Sequence, residues 1–339
     1  MTTATWPASQ NRHPGKQGAA VPWRQLVRVT ARQHRTALLW TGLAFALLAV
    51  ALLATGVPIR EFAARHGANW EFSSTTWASY GHYSLLAMQA FELLLQVVPV
   101  LAGMFLGAPL LPREADNGTL KLAWTQAASR TRWLLAQVLT VAGLLALAAL
   151  GLGAEFRWWL APFPNGNPWP AYAPRTSSLL FTLDPLPLAG WIVFAFVLGV
   201  FLGAAIRRTL PAMAATLACW GALLIEVSAS WRMHYLPPLH RALAAHFSAG
   251  LGDTTSSYWG NTRPVFLSSE LGWPDGRLLG NAAFRHPAAW LNLHHIVLWV
   301  TYQPGSRYFP FQLIECGGLI AVSVLLLAAA TIVIRRRAA

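Results

Sequence analysis

Six stretches of this chain are nearly free of charge, and each is long enough to cross a bilayer: Thr36–Val57, Leu85–Leu111, Trp133–Ala154, Leu186–Ile206, Thr209–Ala229 and Leu313–Ile334. A hydrocarbon core about 30 Å thick is crossed by roughly 20 apolar residues at about 1.5 Å rise each. Inside lipid every peptide group must find its partner within the segment, so each stretch is predicted to be a helix. An amphipathic helix of a soluble protein would carry polar residues every three or four positions, and Thr36–Val57 and Trp133–Ala154 do not. The expected fold is an all-α polytopic membrane protein with six transmembrane helices. Charged residues make up 11% of the chain, against about 25% in soluble domains. Trp40, Trp133, Trp191 and Trp231 fall near span ends, where an amphipathic ring suits the headgroup layer.

The net charge of +13 is distributed by topology. Arg12, Lys16, Arg24, Arg28, Arg32 and Arg35 precede the first span. Arg113, Lys121, Arg130 and Arg132 lie between spans two and three, Arg207–Arg208 between four and five, and Arg335–Arg337 after six. These alternate connections hold 15 of the 25 Lys and Arg. The positive-inside rule then places both termini in the cytoplasm of a multi-pass cell-membrane protein, and the excess charge faces anionic lipid. No basic and aromatic surface module points to nucleic acid. The N-terminus has no apolar signal-peptide core, so Thr36–Val57 is expected to act as an uncleaved anchor. Cys219 and Cys316 both fall inside spans, which argues against a disulfide framework.

Residues 1–20 read as a disordered cytoplasmic tail and 21–339 as one membrane domain. Val21–Arg35 has Trp23, Leu26, Val27 and Thr30 on one helical face and its arginines largely on others, as expected of a helix lying in the membrane interface. Three connections face outward: Pro58–Ser84, Glu155–Pro185 and the large Trp231–Phe311. Within the last, Ala288–Val300 is apolar over about 13 residues, a length suited to a re-entrant or surface-packed helix. Gly103-Met-Phe-Leu-Gly107 and Gly199-Val-Phe-Leu-Gly203 each end a span running outside to inside, and the Gly-x-x-x-Gly spacing predicts close helix packing at all four glycines.

Three carboxylates sit within spans: Glu92, Glu226 and Glu315. Either they share a substrate or gating role, or each is locally paired or snorkelling, with Arg232 a candidate partner for Glu226. The outer histidines His234, His240 and His246 recur every six residues, the wrong spacing for one helical face. With His286, His294 and His295 they read as packing or surface residues rather than metal ligands. Neither of the two lysines, Lys16 and Lys121, follows a Gly-x-x-x-x-Gly, so the chain has no phosphate-cradling loop. It also has no His-Glu-x-x-His.

The connection between spans two and three, 112–132, is unlike a plain solvated loop. Asn117-Gly118 is a turn, Thr119 can cap, and Leu120, Leu122, Ala123 and Trp124 then require a partner surface or the underside of the bundle itself. The run Glu114-x-x-x-Gly118-Thr119-Leu120 followed by Ser129-Arg130 resembles the first cytoplasmic loop of ABC-2 type permeases. The wider string Gly107-Ala-Pro-Leu-Leu-Pro-Arg-Glu to Leu-Ala-Trp124-Thr-Gln and Ser129-Arg-Thr-Arg-Trp resembles an actinobacterial branch of that family. Arg32-Gln33-His34-Arg35 matches the branch's approach to its first span. Tyr302-Gln303-Pro304, Arg307-Tyr308 and Phe311-Gln312-Leu313-Ile314-Glu315 match its signature near the last. Pro112 departs from the small residue expected there, which shortens span two or bends its exit.

The resemblance implies a permease subunit of an ATP-driven exporter, working as a homo- or heterodimer with a separate cytoplasmic ATPase that carries ATP and Mg. This chain itself would hold no cofactor and no catalytic site. Carried over by position, Glu114, Gly118, Thr119, Leu120, Trp124, Thr125, Gln126, Ser129 and Arg130 form the ATPase contact, Val21–Arg35 forms an N-terminal connecting helix, and Ala288–Val300 fills the role of a re-entrant helix. The rival readings are a non-transport membrane scaffold or sensor coupled to an ABC ATPase, and an enzyme acting on lipid-linked substrates; the latter would need a polar catalytic cluster at one interface, and none is visible. Neither the substrate nor any gating residue is named by these motifs. If the sidedness holds, cysteines placed at Asn167 and Asn261 will label with impermeant maleimide in intact cells, and one at Asn117 will not; labelling at Asn117 would overturn the six-span order.

Overall fold

A computed structural model of the chain describes residues 24, 28–30, 32, 34–66, 82–112, 130–163, 179–244, 265–279 and 288–336. Its helices are α1 (Arg35–His66), α2 (His82–Leu101, continued by a π-helical turn Ala102–Gly107 and on to Pro112), α3 (Arg130–Leu160), α4 (Pro185–Ile206), α5 (Thr209–Glu226), α6 (Ala288–Leu293) and α7 (Tyr308–Arg336). Six of them, α1 to α5 and α7, are long and apolar enough to cross a membrane.

Several spans run past the limits expected from hydropathy. The helix α1 continues through Pro58 to His66, and α3 through Glu155 to Leu160, so the connections that follow them begin later than predicted. Side-chain chemistry holds these extra turns together. Trp159 Nε1 donates to Thr55 Oγ1 (3.0 Å), Arg60 Nη1 donates to the Trp158 carbonyl (3.1 Å), and the Arg60 guanidinium lies 4.8 Å from the Trp158 ring centroid. A local hydropathy window ends a span at the first charge. Here Arg60 is matched by α3, and the helix goes on.

The bundle is organised around α4. Its sequence is apolar on every side, the signature of a buried helix, and 72% of its span is buried against 6% for α1. The closest approach to α4 is made by α2, without side chains. A Cβ placed on Gly103 would lie 2.5 Å from the Ala195 carbonyl oxygen, and one on Gly107 2.3 Å from that of Phe196. Reciprocally, a Cβ on Gly199 would lie 2.2 Å from the Gly103 oxygen, and one on Gly203 2.3 Å from that of Ala108. The two Gly-x-x-x-Gly runs are thus the two halves of a single seam, in which backbone meets backbone. The π-helical turn of α2 coincides with its half of that seam.

The long connection between α5 and α7 is not wholly irregular, nor does it hold the expected helix over Ala288–Val300. Strands β1 (Leu239–Ala244), β2 (Val265–Gly272) and β3 (Val297–Gln303) form an antiparallel sheet in the order β1-β3-β2. Leu239 lies opposite Tyr302, Gly272 opposite Val297, and the register shifts between Phe266 and Ser268. Only Ala288–Leu293 is helical; His295 takes a left-handed φ of 52° and ends it. Residues 297–302 of β3, Val-Leu-Trp-Val-Thr-Tyr, are β-branched or aromatic except for Leu298 and suit a strand. A small core of Leu291, Ile296, Leu271, Trp273 and Trp290 packs beneath. At the opposite end of the bundle Arg335 Nε of α7 donates to Thr131 Oγ1 of α3 (3.0 Å), which places the last turn of one beside the first turn of the other.

The seam gives a direct test. Replacing Gly199 with Ala should cost about 1–3 kcal/mol by overpacking a fixed backbone contact. Replacing Gly221 with Ala, where nothing lies within 4 Å, should leave thermal melting of the purified protein unchanged or higher. Equal melting of the two variants would dissolve the seam argument.

Candidate functional site

The densest buried polar chemistry among the described residues lies where α4 and α7 begin and α5 ends. The path to it starts in α5. After Glu226 the helix widens into a π turn, Val227–Trp231, and then tightens into a 3-10 turn, Arg232–His234. One residue inserted into an α-helix turns whatever follows by about 100°, and Arg232 is carried to the interior, fully buried.

Its partner is Glu315 of α7. Arg232 Nε donates to Oε2 (2.9 Å) and Nη2 to Oε1 (3.0 Å), a two-pronged pair. Trp191 Nε1 of α4 donates to Oε1 (2.8 Å) and the Tyr235 hydroxyl to Oε2 (3.2 Å). A carboxylate offers about four lone-pair sites, and all four are used. The guanidinium also lies 4.5 Å from the centroid of the Phe181 ring. Burial, and then the Glu315 charge, push the Tyr235 hydroxyl well above its usual range, so it stays protonated and donates.

A second carboxylate, Asp184, stands at the N-cap of α4 but turns its side chain to α7 rather than to its own helix. It accepts from the Tyr308 hydroxyl and from Gln312 Nε2 (3.0 Å), and Arg157 of α3 lies 3.7 Å away. The sheet is tied in by Gln303, whose Nε2 donates to the Met233 (3.1 Å) and Leu236 (2.8 Å) carbonyls. Arg307 Nη1 donates both to Gln303 Oε1 (2.7 Å) and to the Pro237 carbonyl (2.6 Å). Chemically this arrangement holds charge in place. It presents no nucleophile beside a base and leaves no open carboxylate oxygen on Glu315.

These contacts explain the signature read near the last span. Gln303, Arg307, Tyr308, Gln312 and Glu315 each reach back in sequence, to residues between 184 and 237. Arg232 pairs with Glu315 rather than with Glu226, the candidate partner read from the sequence; Glu226 is exposed on α5. Trp191 is likewise buried, not lodged in the headgroup layer, because its indole N–H serves Glu315; Trp40 and Trp231 do face outward. Glu92 is half-buried on α2, one turn before Gln96, whose Oε1 accepts from Thr182 (2.8 Å). The three carboxylates therefore have three different surroundings. Trp191, Asp184 and Tyr235 were missed by sequence reasoning. The available signal was the 4-then-3 spacing of Tyr308, Gln312 and Glu315, a polar stripe on one face of an apolar helix.

Glu114, Gly118, Thr119, Leu120, Trp124, Thr125, Gln126 and Ser129 lie outside the described residues, and Arg130 is the first residue of α3. The helix α2 reaches Pro112, so the departure there does not shorten the span.

Removing one partner of a buried pair strands the other charge. Glu315→Gln should lower stability by about 3–5 kcal/mol. The double change Arg232→Met with Glu315→Leu should recover most of that loss, read as thermal melting in detergent. A Glu315→Gln protein that melts like wild type would show that the pair does not brace these helices.

No curated protein and no solved structure is matched by this chain. A model of the family described as ABC-2 membrane transporter related matches residues 42–232, more than half of the chain, from the first turns of α1 through Arg232. With six apolar helices, among them the central α4, the chain is a multi-pass membrane protein that belongs to the ABC-2 membrane transporter related family.

Proposed function

We propose that this chain is the membrane-spanning subunit of an ATP-driven exporter, that both its termini lie in the cytoplasm, and that hydrolysis is supplied by a separate ATPase. Family membership is the observation that carries the reading. The distribution of arginines supports the orientation, since the connections 112–132 and 207–208 and both terminal segments hold most of the positive charge.

The ATPase contact is assigned to the connection between α2 and α3. Leu120 and Trp124 are its apolar anchors; Glu114 and Arg130 set its register. Force applied there passes directly into α2, which bears on α4 through the glycine seam, where few side chains can absorb a displacement. The brace of Arg232, Glu315, Trp191 and Tyr235 joins α4, the end of α5 and α7 at the far end. We infer that α2 moves against that braced unit, with a second permease subunit completing the path.

The reading is tested on the complex. Trp124→Ala, and separately Gly118→Leu, should lower co-purification of the co-expressed ATPase about tenfold or more while the permease still melts cooperatively. Unchanged co-purification in both variants removes the coupling assignment. Intact ATPase binding without any transported substrate across a broad compound screen favours a scaffold or sensor.

A further inference from the structure

The whole net charge of this protein belongs to the segments that lead into α1, join α2 to α3 and α4 to α5, and close α7. The segments 1–35, 112–132, 207–208 and 335–339 contain 15 of the 25 Lys and Arg and only two acidic residues, Glu114 and Asp116. In the rest of the chain ten arginines stand against ten carboxylates, so that part is neutral. Every carboxylate among the described residues (Glu61, Glu92, Glu155, Asp184, Glu226, Glu270, Asp275 and Glu315) lies outside the basic segments.

Four of these arginines are held at a fixed depth. Arg207 and Arg208 are the entire connection between α4, which ends at Ile206, and α5, which begins at Thr209. A turn that short cannot lift its side chains clear of the headgroup layer. Arg335 and Arg336 end α7, directly after Ile334. The helices α4 and α7 touch at Gly190 and Cys316, where a Cβ on the glycine would lie 3.1 Å from the cysteine Cα. Both helices run the same way from that contact, so about 24 Å further on Ile206 and Ile332 stand at one depth. Arg207 and Arg335 then lie within a turn of each other along the membrane normal, and all four side chains are exposed.

Arg207 carries a second mark. Its φ is 62°, the left-handed conformation, and its N–H closes the end of α4 on the Gly203 carbonyl. Glycine is the usual residue there, because a Cβ is disfavoured. An arginine kept in that conformation points to a use for its guanidinium.

We propose that Arg207, Arg208, Arg335 and Arg336 form a binding site for the phosphodiester headgroup of an anionic phospholipid. Guanidinium groups match phosphate oxygens in pairs of hydrogen bonds. Two adjacent pairs close parallel apolar helices at the depth where lipid places its phosphate, and adjacent like charges favour a counter-anion. Their position flush with the spans separates them from the connection 113–129, to which the ATPase contact is assigned. The site does not depend on that assignment, since a chain without any ATPase partner would bind lipid equally.

The test uses the purified full-length protein in detergent, with bound lipid counted by native mass spectrometry. Phosphatidylglycerol should be retained about tenfold over phosphatidylcholine. Each arginine replaced by glutamine should lower that retention by up to about fivefold, so that the quadruple variant loses the preference, while Arg65→Gln at the neutral end retains it. Arg207→Gly separates ligand binding from fold: glycine suits the φ, so melting should be unchanged or higher, yet phosphatidylglycerol retention should fall. Equal retention of the two lipids, or wild-type preference in the quadruple variant, overturns the proposal. Displacement of the lipid by millimolar inorganic phosphate would mark a free-anion site instead. Displacement by the purified ATPase would assign these arginines to that partner. Either result also overturns it.

Discussion

Lipid cannot hydrogen-bond a peptide group, and that constraint decides most of this molecule. Each crossing must close its own backbone ladder, so the spans are helices before any contact between them is considered. Without water to drive apolar faces together, association then depends on how closely backbones approach. The seam between α2 and α4 is the extreme case, with glycine on both sides and carbonyl oxygens where side chains would otherwise stand. The spans α3, α5 and α7 pack against α4 by filling space around an all-apolar rod, and α1 packs on α3.

Against that background the buried ion pair is an expense that needs a purpose. A carboxylate and a guanidinium removed from water are tolerated only when every polar atom is answered, and Glu315 has its four answers in Arg232, Trp191 and Tyr235. Neighbouring contacts at Asp184, Gln303 and Arg307 extend the same logic to the sheet. What results is directional. Apolar packing permits helices to slide, whereas a two-pronged bond between specific atoms fixes α4, α5 and α7 in one register. The bundle thus has a pinned end, beside the sheet, and toward the other end a seam where α2 meets α4 backbone to backbone.

Much of the architecture was legible in the amino-acid sequence because its causes are local. Span number and close helix packing at four glycines follow from hydropathy, length and residue size. So does the concentration of arginine at alternate connections. The family signature was legible as well, although as a string of residues without a reason. Tertiary contact supplied the reason: Gln303, Arg307, Tyr308, Gln312 and Glu315 bond to groups some 65 to 130 positions earlier, which no local pattern encodes.

The misreadings share this origin. Ala288–Val300 is apolar and short, and whether Val297–Gln303 becomes strand or helix depends on β1 and β2, distant in sequence. Arg232 sits six residues after Glu226, and proximity along the chain made that pair attractive; the π turn at Val227–Trp231 sends the guanidinium to α7 instead. By itself the sequence determined that this chain crosses a membrane six times and which end carries its charge, because burial of apolar length and exclusion of charge act residue by residue. Which polar groups meet inside, and where the backbone departs from the α-helix to let them meet, was decided only by the assembled bundle, because a buried charge is stable only beside a partner brought to it in three dimensions.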